Sequence, residues 1–597
     1  MRIIGISAFY HDSAAALVED GQILAAAQEE RFSRRKHDPS FPSESLNWIL
    51  DQHNLDIDDI DAIAYYEDPK IKLQRVLDSF ATTWPGAFGQ FKKALASQQN
   101  KLAVRDFIAA TTGFKGEILY TRHHLSHAAS AFYPSPFKRA AFLTVDGVGE
   151  WDTTTFGVGN ESEISIHKKI EFPHSMGLLY SAFTYYAGFK INSGEYKLMG
   201  LAPYGEPKYA QLILDNMLDV KPDGSFRLNL EYFGHLGGAG AITDAFASLF
   251  GQPRRDPETN LTQFHMDVAA SIQSVLEHVL LRICRFVANE TGEANLCLAG
   301  GVALNCVANG KIIREGMFNE LWIQPASGDA GGAIGSALYH FHRRAGSRRP
   351  KPAMNPYLGP RFSGSEIEAY LRRRNIPYRK SGALERETAE LLSGGAIIGW
   401  FQGPMEFGPR ALGNRSILGD PRAKNMQKEM NLRIKYRESF RPFAPIILED
   451  KVADWFEFHG KSPYMLIVAP LKEEKRIALT EQESQLFGIE KLNTIRSTVP
   501  AITHVDYSAR LQTVSSDLNP RLHRLLEEFD ALTGCPILVN TSFNVRGEPI
   551  VLSPDDAYTC FMRTGMTHLI LDEYIVTKDE QPVFEESKDW REQFELD

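Results

Sequence analysis

The first half of the chain alternates short apolar segments with glycine turns. Six segments have the length and β-rich composition of strands: 2–7, 14–18, 23–27, 141–145, 153–158 and 295–298. Asp20-Gly21 joins the second to the third and predicts a β-hairpin. The turn Asp146-Gly147-Val148-Gly149 joins the fourth segment to the fifth in the same way. The sixth segment leads into Gly300-Gly301, where a helix is expected to begin. The pattern therefore predicts an α/β domain with two related halves.

The three glycine turns are also candidates for binding phosphate. Glycine lets backbone N–H groups approach a phosphate closely, and a helix N-terminus adds the positive end of its dipole. A single turn of this kind is more often an ordinary hairpin or βα turn, and that alternative stays open. Three of them in this order favour a phosphate-binding site.

The second half has its own pattern, after a change of composition at 340–364. That stretch is rich in Arg, Pro and Gly and has no apolar periodicity, which is typical of a linker. Helices are predicted at 365–373 and 384–392, and strands at 396–401, 445–448, 465–469 and 536–540. We therefore predict a first domain at 1–345, a linker at 346–364 and a second α/β domain with a twisted sheet at 365–597.

Charge and cysteine usage narrow the classes of function. The 597 residues carry a formal net charge of −10, so a general nucleic-acid binder, which needs a cationic surface, is not expected. The N-terminal stretch lacks the apolar core of a signal peptide, and no run approaches the roughly 18 apolar residues of a membrane span. The five cysteines lack CxxC spacing and are typical of buried thiols in a reducing compartment. We expect a cytoplasmic protein without a membrane partner.

Two histidines and two aspartates form a candidate metal site. His123 and His127 are four residues apart, so on a helix they share one face. Asp146 and Asp329 stand at the mouths of glycine turns and could supply oxygen ligands. Such a set suits Fe(II), Zn(II) or Mn(II). A bare HxxxH pair more often packs or caps a helix, and that alternative stays open. His124 points elsewhere and is a weaker candidate.

The second half concentrates cations among apolar residues, as in Gly-Pro-Arg-Ala-Leu-Gly at 408–413 and Ser-Phe-Arg-Pro-Phe at 439–443. A buried cation needs a partner or an anionic ligand, so these segments favour an anion site over solvated loops. The candidate cations are Arg410, Arg415, Lys435, Arg437, Arg441 and Arg510. Ser542 and Asn544 follow a predicted strand and could hold phosphate oxygens. The basic run 31–37 is as compatible with a solvent-facing helix end as with acceptor or phosphate binding.

Several motifs together resemble a known family. They are HDSAA (11–15), EERFSRRKH (29–37), HHLSHAASAFYPSPF (123–137), VDGVGE (145–150), SGEYKLMGLAPYG (193–205), LAGGVALN (298–305) and GDAGGAIGSA (328–337). In this order they resemble the carbamoyltransferases that include nodulation and antibiotic-tailoring enzymes. Their core is similar to the tRNA threonylcarbamoyl-transfer ATPase of the Kae/Tsa type. Lys435-Tyr436-Arg437 with Ser542-Phe543-Asn544 resembles the KxR…SxN pattern of YrdC-like threonylcarbamoyl-adenylate synthases.

The resemblance implies a fold and a set of site residues. The first domain would be actin/hexokinase-like with duplicated βαβ halves, and the second YrdC-like. His123, His127, Asp146 and Asp329 would hold Fe²⁺ or another divalent transition metal. The residues implied to contact the nucleotide are Glu195, Lys197, Gly300, Gly301 and Asn305. His11 would be the general base, a role that Asp12 could fill instead. Lys435 and Arg441 would be catalytic in the second domain, with the other cations, Ser542 and Asn544 binding carbamoyl phosphate and ATP.

The resulting prediction is an ATP-dependent O-carbamoyltransferase that uses carbamoyl phosphate, ATP and Mg²⁺. Its acceptor would be a hydroxylated sugar or natural product, and a homodimer is possible. Residues 206–263 match no motif and are a candidate lining of the acceptor pocket. Three alternatives stay open: a tRNA threonylcarbamoylation fusion, an actin-like nucleotide switch without transfer chemistry, and a metallohydrolase.

Overall fold

The computed structural model describes residues 1–83, 103–237, 240–345, 354–584, 589, 590 and 594. The chain divides into two compact units. The first unit comprises Met1–Ser33 and His37–Met354, and the second comprises Arg34–Lys36 and Asn355–Asp597. Residues 346–353 of the predicted linker, and residues 238 and 239 of the candidate acceptor segment, lie outside the described part of the chain.

The first unit begins with a mixed five-stranded sheet. Its strands are β1 Arg2–Ser7, β2 Ala14–Glu19, β3 Gln22–Gln28, β4 Ala62–Tyr65 and β5 Glu117–Tyr120. They lie in the order β3-β2-β1-β4-β5. The first three form an antiparallel meander, and β4 and β5 continue the sheet in parallel to β1. The predicted hairpin at Asp20-Gly21 is confirmed, with Gly21 in the left-handed region at φ +80°.

The second sheet repeats that arrangement. The strands that follow are β6 Arg139–Val145, β7 Asp152–Asn160, β8 Glu163–Glu171, β9 Leu218–Val220, β10 Phe226–Leu228, β11 Asn295–Ala299 and β12 Glu320–Ile323. Apart from the separate β9–β10 hairpin, they lie in the order β12-β11-β6-β7-β8. The meander again comes first and two parallel strands follow. The predicted duplication is confirmed. The first half has the three antiparallel strands that the pattern predicted, and the second half has a third strand, β8, beyond the two predicted. The first unit is therefore actin/hexokinase-like.

Helices connect and cover these sheets. They are α1 Glu30–Ser33, α2 Ser43–His53, α3 Pro69–Thr83, α4 Val104–Thr112, α5 His123–Phe132, α6 Met176–Tyr186, α7 Glu195–Leu201, α8 Ala210–Asn216, α9 Asp244–Phe250, α10 Gln263–Thr291, α11 Cys306–Arg314 and α12 Asp329–Ala345. Short 3₁₀ helices lie at Ile57–Asp59, Ala202–Tyr204, Leu230–Tyr232, His235–Gly237 and Gly301–Leu304.

Glycines allow α12 to pack unusually close to α5 and to β1. A Cβ on Gly335 would lie 1.8 Å from the carbonyl oxygen of Ser126 in α5. A Cβ on Gly5 in β1 would lie 1.8 Å from the carbonyl oxygen of Ala333 in α12. No side chain fits at either place, because these distances are far below van der Waals contact. Gly335 of the GDAGGAIGSA motif thus serves helix packing, and the approach brings the first residues of α5 and α12 together.

The second unit is built on a mixed nine-stranded sheet. Its strands are β13 Arg379–Lys380, β14 Ile398–Phe401, β15 Arg415–Gly419, β16 Ala444–Leu448, β17 Ile467–Pro470, β18 Ser508–Val514, β19 Ile537–Ser542, β20 His568–Leu571 and β21 Tyr574–Thr577. They lie in the order β13-β21-β20-β14-β15-β19-β16-β18-β17. β17 starts later than predicted because Met465 has the left-handed φ of +58°, which a strand cannot contain.

The helices of the second unit lie between these strands. They are α13 Gly364–Arg373, α14 Leu384–Ser393, α15 Met426–Met430, α16 Val452–Trp455, α17 Glu481–Ser484, α18 Pro520–Thr533 and α19 Pro554–Arg563. Short 3₁₀ helices lie at Glu449–Lys451, Glu473–Lys475, Gly488–Asn493 and Lys578–Glu580, and a π-helical turn at Asn431–Lys435. The α/β prediction is confirmed for this unit. All five cysteines are buried and free. Within the described residues, no helix is both long and apolar enough to cross a membrane.

Replacing Gly335 with alanine tests the close packing of α12 on α5. The new methyl group must push the Ser126 carbonyl away, so we expect a loss of about 1–3 kcal/mol in the free energy of unfolding. Urea denaturation followed by tryptophan fluorescence measures it. Gly328→Ala is the control, because a Cβ there meets nothing within 4 Å. Equal unfolding midpoints for the two variants would contradict the packing argument.

Candidate metal and anion sites

The four residues predicted to bind metal lie together and are buried. The Nε2 atoms of His123 and His127 are 3.0 Å apart. Nε2 of His123 lies 3.1 Å from Oδ2 of Asp146 and 3.6 Å from Oδ1 of Asp329. Nε2 of His127 lies 3.8 Å from each of these two oxygens. We call these four residues the His/Asp cluster.

Local structure explains how each member reaches the cluster. The two histidines lie one turn apart at the start of α5, Asp146 follows β6, and Asp329 is the first residue of α12. The turn at Gly300-Gly301 holds Asp146, since the Gly301 N–H donates to its Oδ1 at 2.9 Å. Gly300 has φ +89°, and a Cβ there would lie 2.3 Å from the carbonyl oxygen of Val145. Two glycines predicted to contact nucleotide thus also support an aspartate of the cluster.

A buried carboxylate that the sequence analysis did not single out orients the same helix. Glu150 accepts the backbone N–H of His123 at 3.0 Å and that of Asp68 at 2.6 Å. It therefore satisfies a free donor at the N-terminus of α5, where a negative charge is favourable. Burial raises the pKa of Glu150. The VDGVGE motif contains it, but only the fold shows that it reaches α5.

Charge in the cluster favours a bound cation. Burial alone would lower the pKa of His123, but Asp329 and Asp146 outweigh it and raise the pKa to about 9. Burial likewise opposes ionisation of Asp146, but its hydrogen bonds with the two histidines hold its pKa well below the usual range. The carboxylates therefore attract positive charge into a buried site, and a divalent ion can take the place of protons on the imidazoles.

The residues fit a divalent metal ion. Atoms that each lie about 2.1 Å from a shared centre are separated by about 3–4 Å, which is the spacing found here. Asp329 Oδ2 is buried and has no hydrogen-bond partner among the described residues. By contrast, the Nδ1 atom of His124 lies 2.8 Å from Oγ1 of Thr144. This places His124 outside the cluster, as predicted.

His11 lies beside the His/Asp cluster. Its Nε2 is 4.0 Å from Oδ2 of Asp329, and its Nδ1 is 2.9 Å from Oδ2 of Asp12. Burial lowers the pKa of His11, but Asp329 and Asp12 raise it, to about 9. Burial also opposes the charge on Asp12, but His37 and His11 hold the pKa of that carboxyl well below its usual range. The two candidate bases are thus in contact, and Asp12 is the weaker proton acceptor.

The remaining residues predicted to contact nucleotide lie on α7 and at the start of α11. Oε1 of Glu195 accepts the Ser181 hydroxyl at 2.8 Å, and Lys197 is 1% exposed. Asn305 caps α11 by accepting the Ala308 N–H at 3.0 Å, and its amide pairs with that of Gln273 at 2.9 and 3.1 Å. Lys197 and Asn305 are buried, and Glu195 is half-buried.

In the second unit, the two halves of the KxR…SxN pattern meet. Nζ of Lys435 lies 2.7 Å from Oδ1 and 2.9 Å from the carbonyl oxygen of Asn544. It also contacts the carbonyl and, at 3.2 Å, the hydroxyl of Ser542. Burial and the neighbouring Arg437 lower the pKa of Lys435 well below its usual range. An anionic ligand would restore its charge. We call these three residues the Lys435 cluster.

The predicted cations of the second unit differ in their surroundings. Arg437 donates through Nε to Oδ1 of Asn431 at 2.8 Å, and Arg441 is paired with Glu438 at 2.9 Å. Arg410 and Arg510 are half-buried. Arg415 is 0% exposed, lies over the Phe401 ring, and donates to backbone carbonyls that include that of Gln402 at 2.7 Å. Arg415 therefore holds the 402–403 turn through Nη1, and its part in ligand binding stays a prediction.

The duplicated sheets give the first unit an actin/hexokinase-like fold, and the His/Asp cluster lies inside it. Residues 2–338 match the family model described as Carbamoyltransferase N-terminus, and residues 389–578 match Carbamoyltransferase C-terminus. The chain belongs to the carbamoyltransferase family. An uncharacterized protein of Synechocystis sp. is 55% identical over 612 residues, which cover 100% of both chains. The nodulation protein NolNO of Sinorhizobium fredii is 36% identical over 586 residues, covering 96% of this chain and 79% of that protein.

Among solved structures, component A of the Acidaminococcus fermentans (R)-2-hydroxyglutaryl-CoA dehydratase aligns with 58% of this chain and 99% of its own. The TM-score is 0.30 and the sequence identity 14%. The fold assignment rests on the strand order of the two sheets.

Replacing His127 with alanine tests the His/Asp cluster as a metal site. The variant loses one of two nitrogen donors, so we expect its affinity for Zn²⁺ or Fe²⁺ to fall by at least about 100-fold, the upper end of the effect of losing a supporting partner. Elemental analysis after dialysis against buffered metal measures it. His124→Asn, which keeps a donor for Thr144, is the control and should retain the metal. One metal ion per chain in His127→Ala would contradict the assignment.

Proposed function

We propose that this carbamoyltransferase makes carbamoyl-adenylate at the Lys435 cluster and transfers the carbamoyl group to a hydroxylated acceptor at the His/Asp cluster. The observation that carries the proposal is the position of His11, whose Nε2 lies 4.0 Å from Oδ2 of Asp329. It puts a candidate base next to a candidate cation site in the first unit. The acceptor is a sugar or another hydroxylated natural product.

The first half-reaction combines two polyanions. Water cleaves carbamoyl phosphate to carbamate and phosphate, and a carbamate oxygen attacks the α-phosphorus of ATP. The bond from that phosphorus to the β-phosphate oxygen breaks, which yields carbamoyl-adenylate and pyrophosphate. Lys435, Arg437 and Arg441 supply fixed positive charge to the phosphoryl oxygens, the main catalytic effect available to a protein in this chemistry. Mg²⁺ arrives with ATP and is not held by a dedicated protein site.

The second half-reaction needs a base and an electrophile. The acceptor hydroxyl attacks the carbamoyl carbon, its proton passes to Nε2 of His11, and the bond to the phosphate oxygen breaks to release AMP. An imidazole within reach of the hydroxyl is suited to this transfer. A divalent ion bound by His123, His127, Asp146 and Asp329 would polarise the carbamoyl carbonyl as a Lewis acid.

The fate of ATP distinguishes this proposal from its alternatives. Purified protein is incubated with ATP, Mg²⁺, Fe²⁺ and carbamoyl phosphate, with and without a panel of hydroxylated sugars, and the products are identified by mass spectrometry. We expect AMP and pyrophosphate only when carbamoyl phosphate is present, because the adenylate forms from carbamate. Conversion of ATP to ADP without regard to carbamoyl phosphate would overturn the proposal and favour an actin-like nucleotide switch.

Lys435→Met tests the assignment of the first half-reaction. Methionine keeps the apolar stem but removes the ammonium, so we expect pyrophosphate release to fall by at least about 100-fold, the usual effect of losing one preorganised electrostatic group. Lys428→Met, an exposed lysine on α15, is the control and should keep the wild-type rate. The metal content of both variants is measured to check that neither substitution disturbs the first unit. Wild-type pyrophosphate release by Lys435→Met would exclude Lys435 from the site.

A further inference from the structure

The basic run 31–37 contains a histidine that joins the two candidate bases. Nδ1 of His37 lies 2.8 Å from Oδ1 of Asp12, while Nδ1 of His11 lies 2.9 Å from Oδ2 of the same carboxylate. Asp12 therefore bridges two imidazoles. A carboxylate only accepts hydrogen bonds when ionised, so each bridging nitrogen carries its proton toward Asp12.

This arrangement sets the tautomer of His11. A cation in the His/Asp cluster would offset the carboxylate charge of Asp329 that favours protonation of His11. In the neutral imidazole with its proton on Nδ1, Nε2 carries the lone pair and faces the edge of the cluster, 4.0 Å from Asp329 Oδ2. A base must present an unprotonated nitrogen to the hydroxyl it deprotonates. Both oxygens of Asp12 are engaged, so Asp12 orients the base and does not serve as one.

The backbone holds the His37 segment against the turn that carries Asp12. The N–H of Phe9 donates to the carbonyl of Pro39 at 2.8 Å, and the N–H of Ser13 donates to that of Asp38 at 3.1 Å. These two hydrogen bonds lie on either side of Asp12. Both Asp12 and His37 have left-handed φ values, +54° and +56°. Such strain in residues other than glycine persists only where the surroundings enforce it, and it is common at functional sites.

Asp12, Glu30 and His37 could also be considered a second metal site, since their donor atoms lie within 4.8 Å of one another. The hydrogen bonds of these residues argue against a metal site there. Oε2 of Glu30 accepts the backbone N–H of His37 at 2.7 Å, and Oε1 pairs with Arg31 at 2.6 Å. Both carboxylate oxygens of Glu30 therefore already have protein donors, which leaves positioning as the role of this group.

From this geometry we infer that His37 is a positioning residue for carbamoyl transfer: through Asp12 it holds His11 in the tautomer and orientation that present Nε2 to the acceptor hydroxyl. The inference rests on the proposed function for its consequence in catalysis. The structural part of the inference is the tautomer of His11, and this can be measured whether or not the protein is active.

Two variants test the role of His37 in catalysis. His37→Leu removes the donor to Asp12, and we expect the kcat of transfer to fall about 10- to 100-fold, part of the effect that a positioned base contributes. The KM for the acceptor and the rate of pyrophosphate release should stay at wild-type values. His37→Asn restores a donor near the position of Nδ1 and should recover most of the lost rate. His278→Leu, an exposed histidine on α10, is the control.

The tautomer of His11 is measured directly by NMR of zinc-loaded protein with ¹⁵N-labelled histidine, using His11→Gln to assign its signals. We expect the Nδ1–H tautomer alone in the wild type and in His37→Asn, and a mixture in His37→Leu. A single Nδ1–H tautomer in His37→Leu would overturn the inference. So would a wild-type kcat in His37→Leu, where the wild type itself transfers carbamoyl groups. Absence of transfer by the wild type would count against the proposed function alone, because the NMR result still decides the role of His37.

Discussion

The site in the first unit depends on how closely α12 approaches α5. Gly335 and Gly5 leave room for backbone carbonyls where any side chain would collide. The approach brings the first residue of α12, Asp329, next to the imidazoles at the start of α5. Two carboxylates and two imidazoles then share a buried space, where their mutual attraction offsets the cost of removing their charges from water, and a bound cation would add to that attraction.

The two candidate sites handle buried charge in different ways. The His/Asp cluster collects negative charge, and its carboxylates favour a cation among them. The Lys435 cluster is the reverse, because the ammonium of Lys435 is surrounded by neutral oxygens of Ser542 and Asn544. Arg415 shows that burial of a cation does not by itself indicate a ligand site, since its donors point to backbone carbonyls. The proposed chemistry needs both kinds of site, one for phosphates and one for transfer.

Much of the fold could be predicted because its signals are local. Strand segments and hairpin turns depend on residues close in sequence, so β1, β2, β3, β6 and β7 were predicted within two residues of their observed ends. Met465 shows the limit, since a left-handed backbone at a methionine has no signal in the local sequence. In the second half the third strand of the meander, β8, was not predicted, because it is almost wholly exposed and three polar or charged residues interrupt its isoleucines.

The sequence by itself determined the family, the two α/β units and the chemical types of the site residues, because motif order and residue chemistry are properties of the chain. Only the tertiary structure decided which residues meet. It joined His37 to Asp12 and His11, brought Glu150 to the N-terminus of α5, and turned Arg415 toward the backbone. Contacts in the first unit that support the site span as many as 155 residues, as between Asp146 and Gly301, and depend on how elements pack, which no local pattern encodes.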